Sequence, residues 1–351
     1  MLIIQGIQLT EEDVWIPLFF CVFERRINMI ITIFLFIVGL VLLIKGGDWF
    51  VDGSVAIAKK FRIPDILIGA TIVSIGTTLP EVMVSATSAF SGHGEMAYGN
   101  ALGSIICNAA LVAAITIAIR PSKIDANAFK LPTTIFFVAA AVYTLVAYFI
   151  GEFTRGVGLL LLAVFIVYML LSVRTALKSP QKEEENQNNE SEESPKLAKN
   201  IILLILGAAL IAVGAKLLVD NGTIIAEKIG VPESVIALTF VAIGTSLPEL
   251  VTAITSIVKG HGALSLGNVI GANILNLVLV SGVASTVSPF PIPNNSQIAG
   301  INSSLLLDIP IMLFVMALLT IPALTRGKLS RWQGITLIAV YVIFCATQFM
   351  I

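Results

Sequence analysis

Long apolar runs, separated by charged residues or glycine, occupy nearly all of the chain from about residue 30 onward. A helix rises about 1.5 Å per residue, so each run is long enough to cross roughly 30 Å of hydrocarbon. The pattern therefore predicts an all-α integral membrane protein with ten transmembrane helices. We place these helices at 30–58, 63–90, 95–119, 129–150, 155–173, 199–226, 232–258, 263–286, 304–322 and 332–351.

Composition supports this reading and excludes other classes. The mean hydropathy is +0.96, with 57% hydrophobic and 12% charged residues, which is not the composition of a soluble domain of 351 residues. The formal net charge of −1 and the absence of a basic stripe give no indication of a nucleic-acid partner, so the expected surroundings are the lipid bilayer. Cys21, Cys107 and Cys345 lack the spacing of a metal or redox site and are interpreted as packing residues.

Two segments fall outside the predicted helices. Residues 1–28 form an uncertain N-terminal extension, because the short apolar run 14–23 precedes Arg25 and Arg26, the reverse of the charge order in a signal peptide. Met29 begins an uninterrupted apolar span and is an alternative start of the chain. Residues 174–198 are polar and predict a disordered linker between a first five-helix half, 29–173, and a second half, 199–351.

The basic residues predict the orientation in the membrane. If the linker is cytoplasmic, inside loops hold 15 of the 21 lysines and arginines. This bias places the mature N-terminus outside and the linker inside, as expected for a multi-pass protein of the cell (inner or plasma) membrane. The oligomeric state is not predicted.

One segment of the chain is repeated. Thr71–Asn108 returns as Thr239–Asn276 at a constant offset of 168, with 18 of 38 positions identical. Each half contains five predicted helices, an odd number, so the second copy must be inverted in the membrane relative to the first. Glu81 and Glu249 should then meet near the midplane, which predicts one transport site built from two halves.

The repeated segment carries oxygen donors around a proline. Pro80 has no N–H and crowds the carbonyl of Gly76, so the helix should open and leave carbonyls near residues 74–76 unpaired. Thr77 and Glu81 lie one turn apart on the face of this opening. Residues 244–249 supply the same set from the opposite direction.

The next helix of each half adds a polar stripe at intervals of four residues. The stripes consist of Asn100, Ser104 and Asn108 in the first half and Asn268, Ala272 and Asn276 in the second. Small residues one turn apart should let these helices pack closely on their neighbours. They are Gly99 and Gly103, and Gly267 and Gly271.

A site made of oxygen donors and two carboxylates suits a hard cation, namely Ca²⁺, Na⁺ or Mg²⁺. Two glutamates give a charge of −2, which one Ca²⁺ or two Na⁺ balance. Taken alone, a buried glutamate can be a structural hydrogen-bonding group or a proton carrier, and a proline can be a simple kink. Their joint repetition favours a site. Four intramembrane charges have no such support and can equally form ion pairs or snorkel to the interface: Lys45, Asp48, Lys216 and Asp308.

The paired segments GTTLPE and GTSLPE, with GNALGSIICN and GNVIGANILN, resemble the two repeats of the cation/calcium exchanger superfamily, specifically the prokaryotic sodium/calcium exchangers (calcium/sodium antiporters). The resemblance covers both halves from about Met29. It implies ten helices in two inverted five-helix repeats, with the first and sixth helices sliding across the bundle to switch access.

The resemblance also implies a set of ion ligands, some of them backbone carbonyls. The implied ligands are Ser74, Thr77, Thr78, Glu81, Ser104 and Asn108 in the first half, and Ala242, Thr245, Ser246, Glu249 and Asn276 in the second. Two positions depart from the family pattern. Ala272 replaces a common serine, and Asn276 stands where some relatives, including the potassium-dependent branch, carry aspartate.

The resemblance implies Na⁺/Ca²⁺ antiport by alternating access, with Ca²⁺ and Na⁺ as transported ions, no cofactor and no enzymatic activity. An H⁺/Ca²⁺ exchanger of the same superfamily is the nearest alternative, although the threonine–proline pattern favours sodium. A passive cation channel and an intramembrane enzyme are further alternatives. A channel would need a continuous polar path, and no nucleophile or metal triad accompanies the two glutamates.

Overall fold

The structure is a computed structural model that describes residues 3–4, 7–8, 11–61, 63–121, 124–178, 197–229, 244, 246–293, 297–298 and 300–350. Ten helices lie in these ranges when each short π-helical turn is counted with the helix that contains it. They are α1 (Glu11–Phe61), α2 (Asp65–Phe90), α3 (Gly94–Ile119), α4 (Ala126–Ile150), α5 (Arg155–Lys178), α6 (Leu197–Lys228), α7 (Leu247–Val258), α8 (Gly262–Val287), α9 (Ser304–Arg326) and α10 (Arg331–Met350).

The helices follow the predicted order but not every predicted boundary. Within the described ranges, eight helices are long and apolar enough to cross a membrane. The other two are α7, whose described part has 12 residues, and α10, so ten spanning helices remain a prediction. The first helix begins at Glu11, well before the predicted residue 30, and its residues Met29–Phe61 are long and apolar enough to cross a membrane. Most of the predicted linker, residues 179–196, lies outside the described residues.

Local chemistry sets several helix ends. Asp125 precedes α4, and its carboxylate accepts a hydrogen bond from the Asn127 N–H at 3.0 Å, a typical N-cap. Gly151 ends the same helix with a φ of 72°, a conformation that glycine adopts without strain. These ends confine the polar backbone to the turns between helices.

Six two-residue strands lie in the described ranges and form three short antiparallel pairs. Ile3–Ile4 (β1) pairs with Ile7–Gln8 (β2), Glu152–Phe153 (β3) with Phe290–Pro291 (β4), and Gln297–Ile298 (β5) with Ile301–Asn302 (β6). The β3–β4 pair ties the turn after α4 to the segment after α8.

The sequence repeat is also a structural repeat. The π-helical turns of α3 and α8 begin at Asn108 and Asn276, which are 168 residues apart. The turns before these helices match as well, since Gly92 and Gly260 have φ angles of 81° and 87°. The two halves therefore share their backbone irregularities as well as their sequence motif.

Contacts at the helix ends show that the halves are inverted. The turn before α8 meets the start of α2, where His261 Nδ1 lies 3.0 Å from Asp65 Oδ2. The equivalent turn before α3 packs at the other end of the bundle, where Gly94 lies against Phe290 beyond the end of α8. Since α2 and α8 run between these ends, the two repeats have opposite directions, as predicted.

The helices divide into a buried centre and an outer layer. Most residues of α8 and α3 are buried, whereas most residues of the spanning parts of α1, α5 and α6 are not. The outer helices α1 and α6 pack against each other along an antiparallel seam that is free of large side chains at its closest points. At these points Gly39 faces Gly214, and Gly46 faces Gly207.

Candidate cation site

The first copy of the motif lies in α2, beyond a wide turn. Gly69–Val73 is π-helical, and the α-helix Ser74–Phe90 continues through Pro80. The predicted opening of the helix at Gly76 is therefore wrong, because Pro80 removes one hydrogen-bond donor without ending the helix and the irregular turn lies earlier.

The second copy begins a new helix. Ser246 is in a turn with φ −90° and ψ 5°, α7 starts at Leu247, and Pro248 occupies its first turn, where a missing N–H costs least. Two implied ligands of this copy, Ala242 and Thr245, lie outside the described residues, as do residues 232–243 of the predicted seventh helix.

The structure buries every implied ligand that it describes. The exposed fraction is 0% for both Glu81 and Glu249. The remaining implied ligands are at most 3% exposed. They are Ser74, Thr77, Thr78, Ser104, Asn108, Ser246 and Asn276.

Few hydrogen bonds join these groups to each other. Thr78 Oγ1 lies 3.5 Å from Glu249 Oε1, which links the two repeats. Thr77 Oγ1 lies 3.3 Å from the carbonyl oxygen of Ser74 and 3.2 Å from Oδ1 of Asn268 on α8. The hydroxyl groups of the first repeat thus reach towards the second repeat.

Many buried polar atoms of the implied ligands have no protein partner. Within the described residues, no hydrogen bond reaches either carboxylate oxygen of Glu81 or the second oxygen of Glu249. The same holds for the hydroxyls of Ser104 and Ser246 and for both amide atoms of Asn108 and Asn276. Burying such groups unpaired costs about 1–3 kcal/mol each, and more when they are charged, so the cluster fits a cation that they coordinate together.

The close packing of α8 on α2 brings the two halves together. A Cβ atom built on Gly267 would lie 2.2 Å from the carbonyl oxygen of Ile66, and one built on Gly271 would lie 2.5 Å from Ser74 Oγ. The predicted role of these two glycines is confirmed. For the repeat-related Gly99 and Gly103, the equivalent neighbours lie outside the described residues.

A cavity of about 870 Å³ reaches both motifs from the side of α6. Gly76 and Pro80 of the first motif and Gly244 and Pro248 of the second are among the lining residues, most of which are apolar. At the end of α7, Lys259 Nζ lies 2.8 Å from Asp52 Oδ1 and 3.4 Å from Asp48 Oδ1 on α1.

Three of the four isolated intramembrane charges pair with groups outside the cluster. Lys216 pairs with Asp220 on its own helix at 3.0 Å, and Asp308 accepts a hydrogen bond from Gln348 at 2.7 Å. Asp48 belongs to the Lys259 contact. Interhelical or local pairing is thus the reading that the structure supports for these three residues.

Sequence reasoning passed over two polar residues beyond Glu249. Thr252 and Ser256 continue its stripe on α7, are 0% exposed, and have hydroxyls without a hydrogen-bond partner in the described residues. Their counterparts at the offset of 168 are Val84 and Ser88, so the repeat matches a hydroxyl to Ser256 but not to Thr252. Helical spacing from Glu249 could have identified both residues.

Comparison with known proteins places these observations in one family. A sequence model described as "Sodium/calcium exchanger protein" matches residues 31–174 and 199–350. The chain is 30% identical over 357 residues to the sodium/calcium exchanger MaX1 of Methanosarcina acetivorans, with 92% of this chain and 99% of the relative covered. It is 36% identical over 321 residues to an uncharacterised membrane protein of Methanocaldococcus jannaschii, covering 91% and 98%.

A solved structure is similar over the same extent. A structure of the sodium-calcium exchanger NCX_Mj, soaked with Na⁺ and Sr²⁺, superposes with a TM-score of 0.75 at 32% sequence identity. The match covers 91% of this chain and 99% of that chain.

Proposed function

The chain belongs to the sodium/calcium exchanger family of multi-pass membrane proteins, and we propose that it is an Na⁺/Ca²⁺ antiporter that uses the sodium gradient to move Ca²⁺ by alternating access. One observation carries the proposal. Two buried carboxylates, Glu81 and Glu249, come from inverted repeats and share a cluster of oxygen atoms, many of which have no hydrogen-bond partner among the described residues.

The donor set supports Ca²⁺ and Na⁺ as the ions. Carboxylate, hydroxyl, amide and carbonyl oxygens are the ligands of hard cations. The described residues contain no group of three or more histidine, cysteine or acidic side chains, which a zinc or iron site would require. The two glutamates carry a charge of −2 that one Ca²⁺ or two Na⁺ can neutralise, so competition for this charge couples the two ions.

The hydroxyls are compatible with sodium as the coupling ion. Thr77, Thr78 and Ser246 are buried and add neutral oxygens to the cluster, which both Na⁺ and Ca²⁺ need as ligands. The relative MaX1 is described as a sodium/calcium exchanger, which supports sodium coupling. The same oxygens would serve Ca²⁺ in an H⁺/Ca²⁺ exchanger, the alternative that the experiment below distinguishes.

The packing of the outer helices is compatible with alternating access. The cavity between α2 and α6 runs along α6 from Leu204 to Asp220 and is lined mostly by apolar side chains, so it is not itself an ion path. The closest contacts between α1 and α6 are glycine to glycine, Gly39 with Gly214 and Gly46 with Gly207. Sliding of these two helices along their neighbours would switch access to the site.

We place the protein in the cell membrane with the linker 174–198 in the cytoplasm. Ser191→Cys in that linker, with Cys21, Cys107 and Cys345 replaced by serine in both the variant and its parent, provides a test with a membrane-impermeant maleimide in intact cells. Labelling only after permeabilisation, compared with the parent chain, agrees with this orientation, and equal labelling of intact cells contradicts it.

The function is tested by ⁴⁵Ca²⁺ uptake into proteoliposomes loaded with Na⁺, with K⁺ or with acid, with wild type beside Glu81→Gln. Uptake only with an outward Na⁺ gradient, lost in the variant, is the expected result. Uptake driven by the proton gradient would establish the alternative exchanger. Flux without any counter-gradient would mean a channel.

A further inference from the structure

Two repeat-related amides, Asn100 and Asn268, make different hydrogen bonds. Asn100 Nδ2 on α3 donates to Ser85 Oγ at 2.9 Å and to the Glu81 carbonyl at 3.3 Å, both within its own repeat. At the offset of 168, Ser85 is replaced by Ala253, which offers no hydroxyl. Asn268 therefore cannot make the equivalent side-chain bond in its own repeat.

Asn268 instead contacts the other repeat. Its side chain is 0% exposed, and its Oδ1 accepts a hydrogen bond from Thr77 Oγ1 at 3.2 Å. Its amide nitrogen has no partner among the described residues. The packing fixes this arrangement, because a Cβ atom built on Gly69 of α2 would lie only 2.8 Å from the Asn268 backbone nitrogen.

The Thr77 hydroxyl has one proton and, besides the Glu249 carboxylate, two neutral acceptors within reach, of which Asn268 Oδ1 is one. The second acceptor is the carbonyl oxygen of Ser74, at 3.3 Å. When the proton points to Asn268, the lone pairs of Thr77 and the second lone pair of the Ser74 carbonyl, beyond its helical backbone bond, are available to a cation. When it points to Ser74, that carbonyl is occupied and the hydroxyl oxygen turns with it. Asn268 therefore determines how many oxygen atoms of α2 are available to coordinate a cation.

We propose that Asn268 is a positioning residue for ion exchange, which accepts the Thr77 hydroxyl proton so that the oxygens of Thr77 and Ser74 both face the transported cation. The proposal rests on the proposed function of the same site. The two repeats then have unequal roles, because the equivalent Asn100 bonds only to Ser85 and Glu81 of its own repeat.

The test is a double-mutant cycle on equilibrium ⁴⁵Ca²⁺ binding and its displacement by Na⁺, measured on purified protein that elutes as a single species. Asn268→Leu removes the acceptor at similar volume and should weaken cation binding about fivefold to tenfold, the effect of one lost hydrogen bond. In a Thr77→Val background, which has no hydroxyl proton to accept, Asn268→Leu should cause little further loss.

Two further variants separate positioning from structure. Asn268→Asp keeps an acceptor oxygen in place and should not weaken cation binding, which keeps the test available if Asn268→Leu does not fold. Asn100→Leu, the matched control, should have the same effect with or without the Thr77 hydroxyl. Additive effects of Asn268→Leu and Thr77→Val, or a loss in Asn268→Asp as large as in Asn268→Leu, would overturn the proposal.

Failure of the proposed function gives a different result. In that case the wild-type protein itself shows no Na⁺-sensitive Ca²⁺ binding. Failure of the Asn268 proposal leaves wild-type binding intact and changes only the coupling between the two substitutions.

Discussion

Replacing Gly267 by alanine tests the close approach of α8 to α2, on which the assembly of the two half-sites depends. The added Cβ atom would lie 2.2 Å from the Ile66 carbonyl oxygen, whereas ordinary contacts are 3.4–4 Å. The obstructing atom belongs to the backbone of a packed helix and cannot rotate away. One helix must therefore move by about 1 Å, and overpacking of this kind costs about 1–3 kcal/mol.

Gly262→Ala is the matched control for this prediction. Gly262 is the first residue of the same helix, and a Cβ atom built there meets nothing within 4 Å. Both substitutions restrict the unfolded chain and favour the helix, by up to about 1 kcal/mol, so a comparison of the two isolates the steric contact.

The assays are thermal unfolding in detergent and ⁴⁵Ca²⁺ exchange in proteoliposomes. Gly267→Ala should unfold several degrees below Gly262→Ala and should need more Ca²⁺ for half-maximal exchange, because Asn268 and the rest of α8 shift away from α2. Equal unfolding midpoints and equal calcium dependence in the two variants would refute the reasoning.

Three further substitutions test other parts of the account. Thr78→Val should weaken Ca²⁺ binding by removing the hydroxyl 3.5 Å from Glu249 Oε1, and unchanged binding would exclude this hydroxyl from the site. Asn276→Asp should change the dependence of exchange on Na⁺ or K⁺ more than it changes expression, since it adds a third carboxylate to the implied ligands. An identical ion profile would count against Asn276 as a ligand. Lys259→Met should lower the free energy of unfolding by about 1 kcal/mol, because it loses two partly exposed ion pairs to α1. Lys216→Met loses only one exposed pair within α6 and should lower the free energy of unfolding by less than about 0.5 kcal/mol. Equal midpoints in thermal unfolding would show that the Lys259 contact contributes nothing.

The inverted architecture could be predicted from the sequence because the same offset aligned every part of the repeat and each half contained an odd number of apolar runs. The offset of 168 aligned Glu81 with Glu249 and Asn108 with Asn276, and an odd number of apolar runs per half required inversion. The structure reproduces that symmetry down to the π-helical turns at the two asparagines.

Other features could not be predicted because they depend on tertiary contacts. No local signal places a π-helical turn at Gly69–Val73, and the rule that proline opens a helix was applied at Pro80, where the surrounding bundle keeps the helix intact. The contact of Lys259 with Asp48 and Asp52 joins residues more than 200 positions apart. The different bonding of Asn268, by contrast, was visible in the change from Ser85 to Ala253.

The most direct test of a single site built from two halves is equilibrium ⁴⁵Ca²⁺ binding to purified wild type, Glu81→Gln and Glu249→Gln, each titrated with Na⁺. The account predicts that wild type binds Ca²⁺ in a form that Na⁺ displaces, and that either single substitution abolishes this binding while the protein stays folded. Retention of Na⁺-sensitive Ca²⁺ binding by both single variants would contradict it, because each half would then bind calcium without the other.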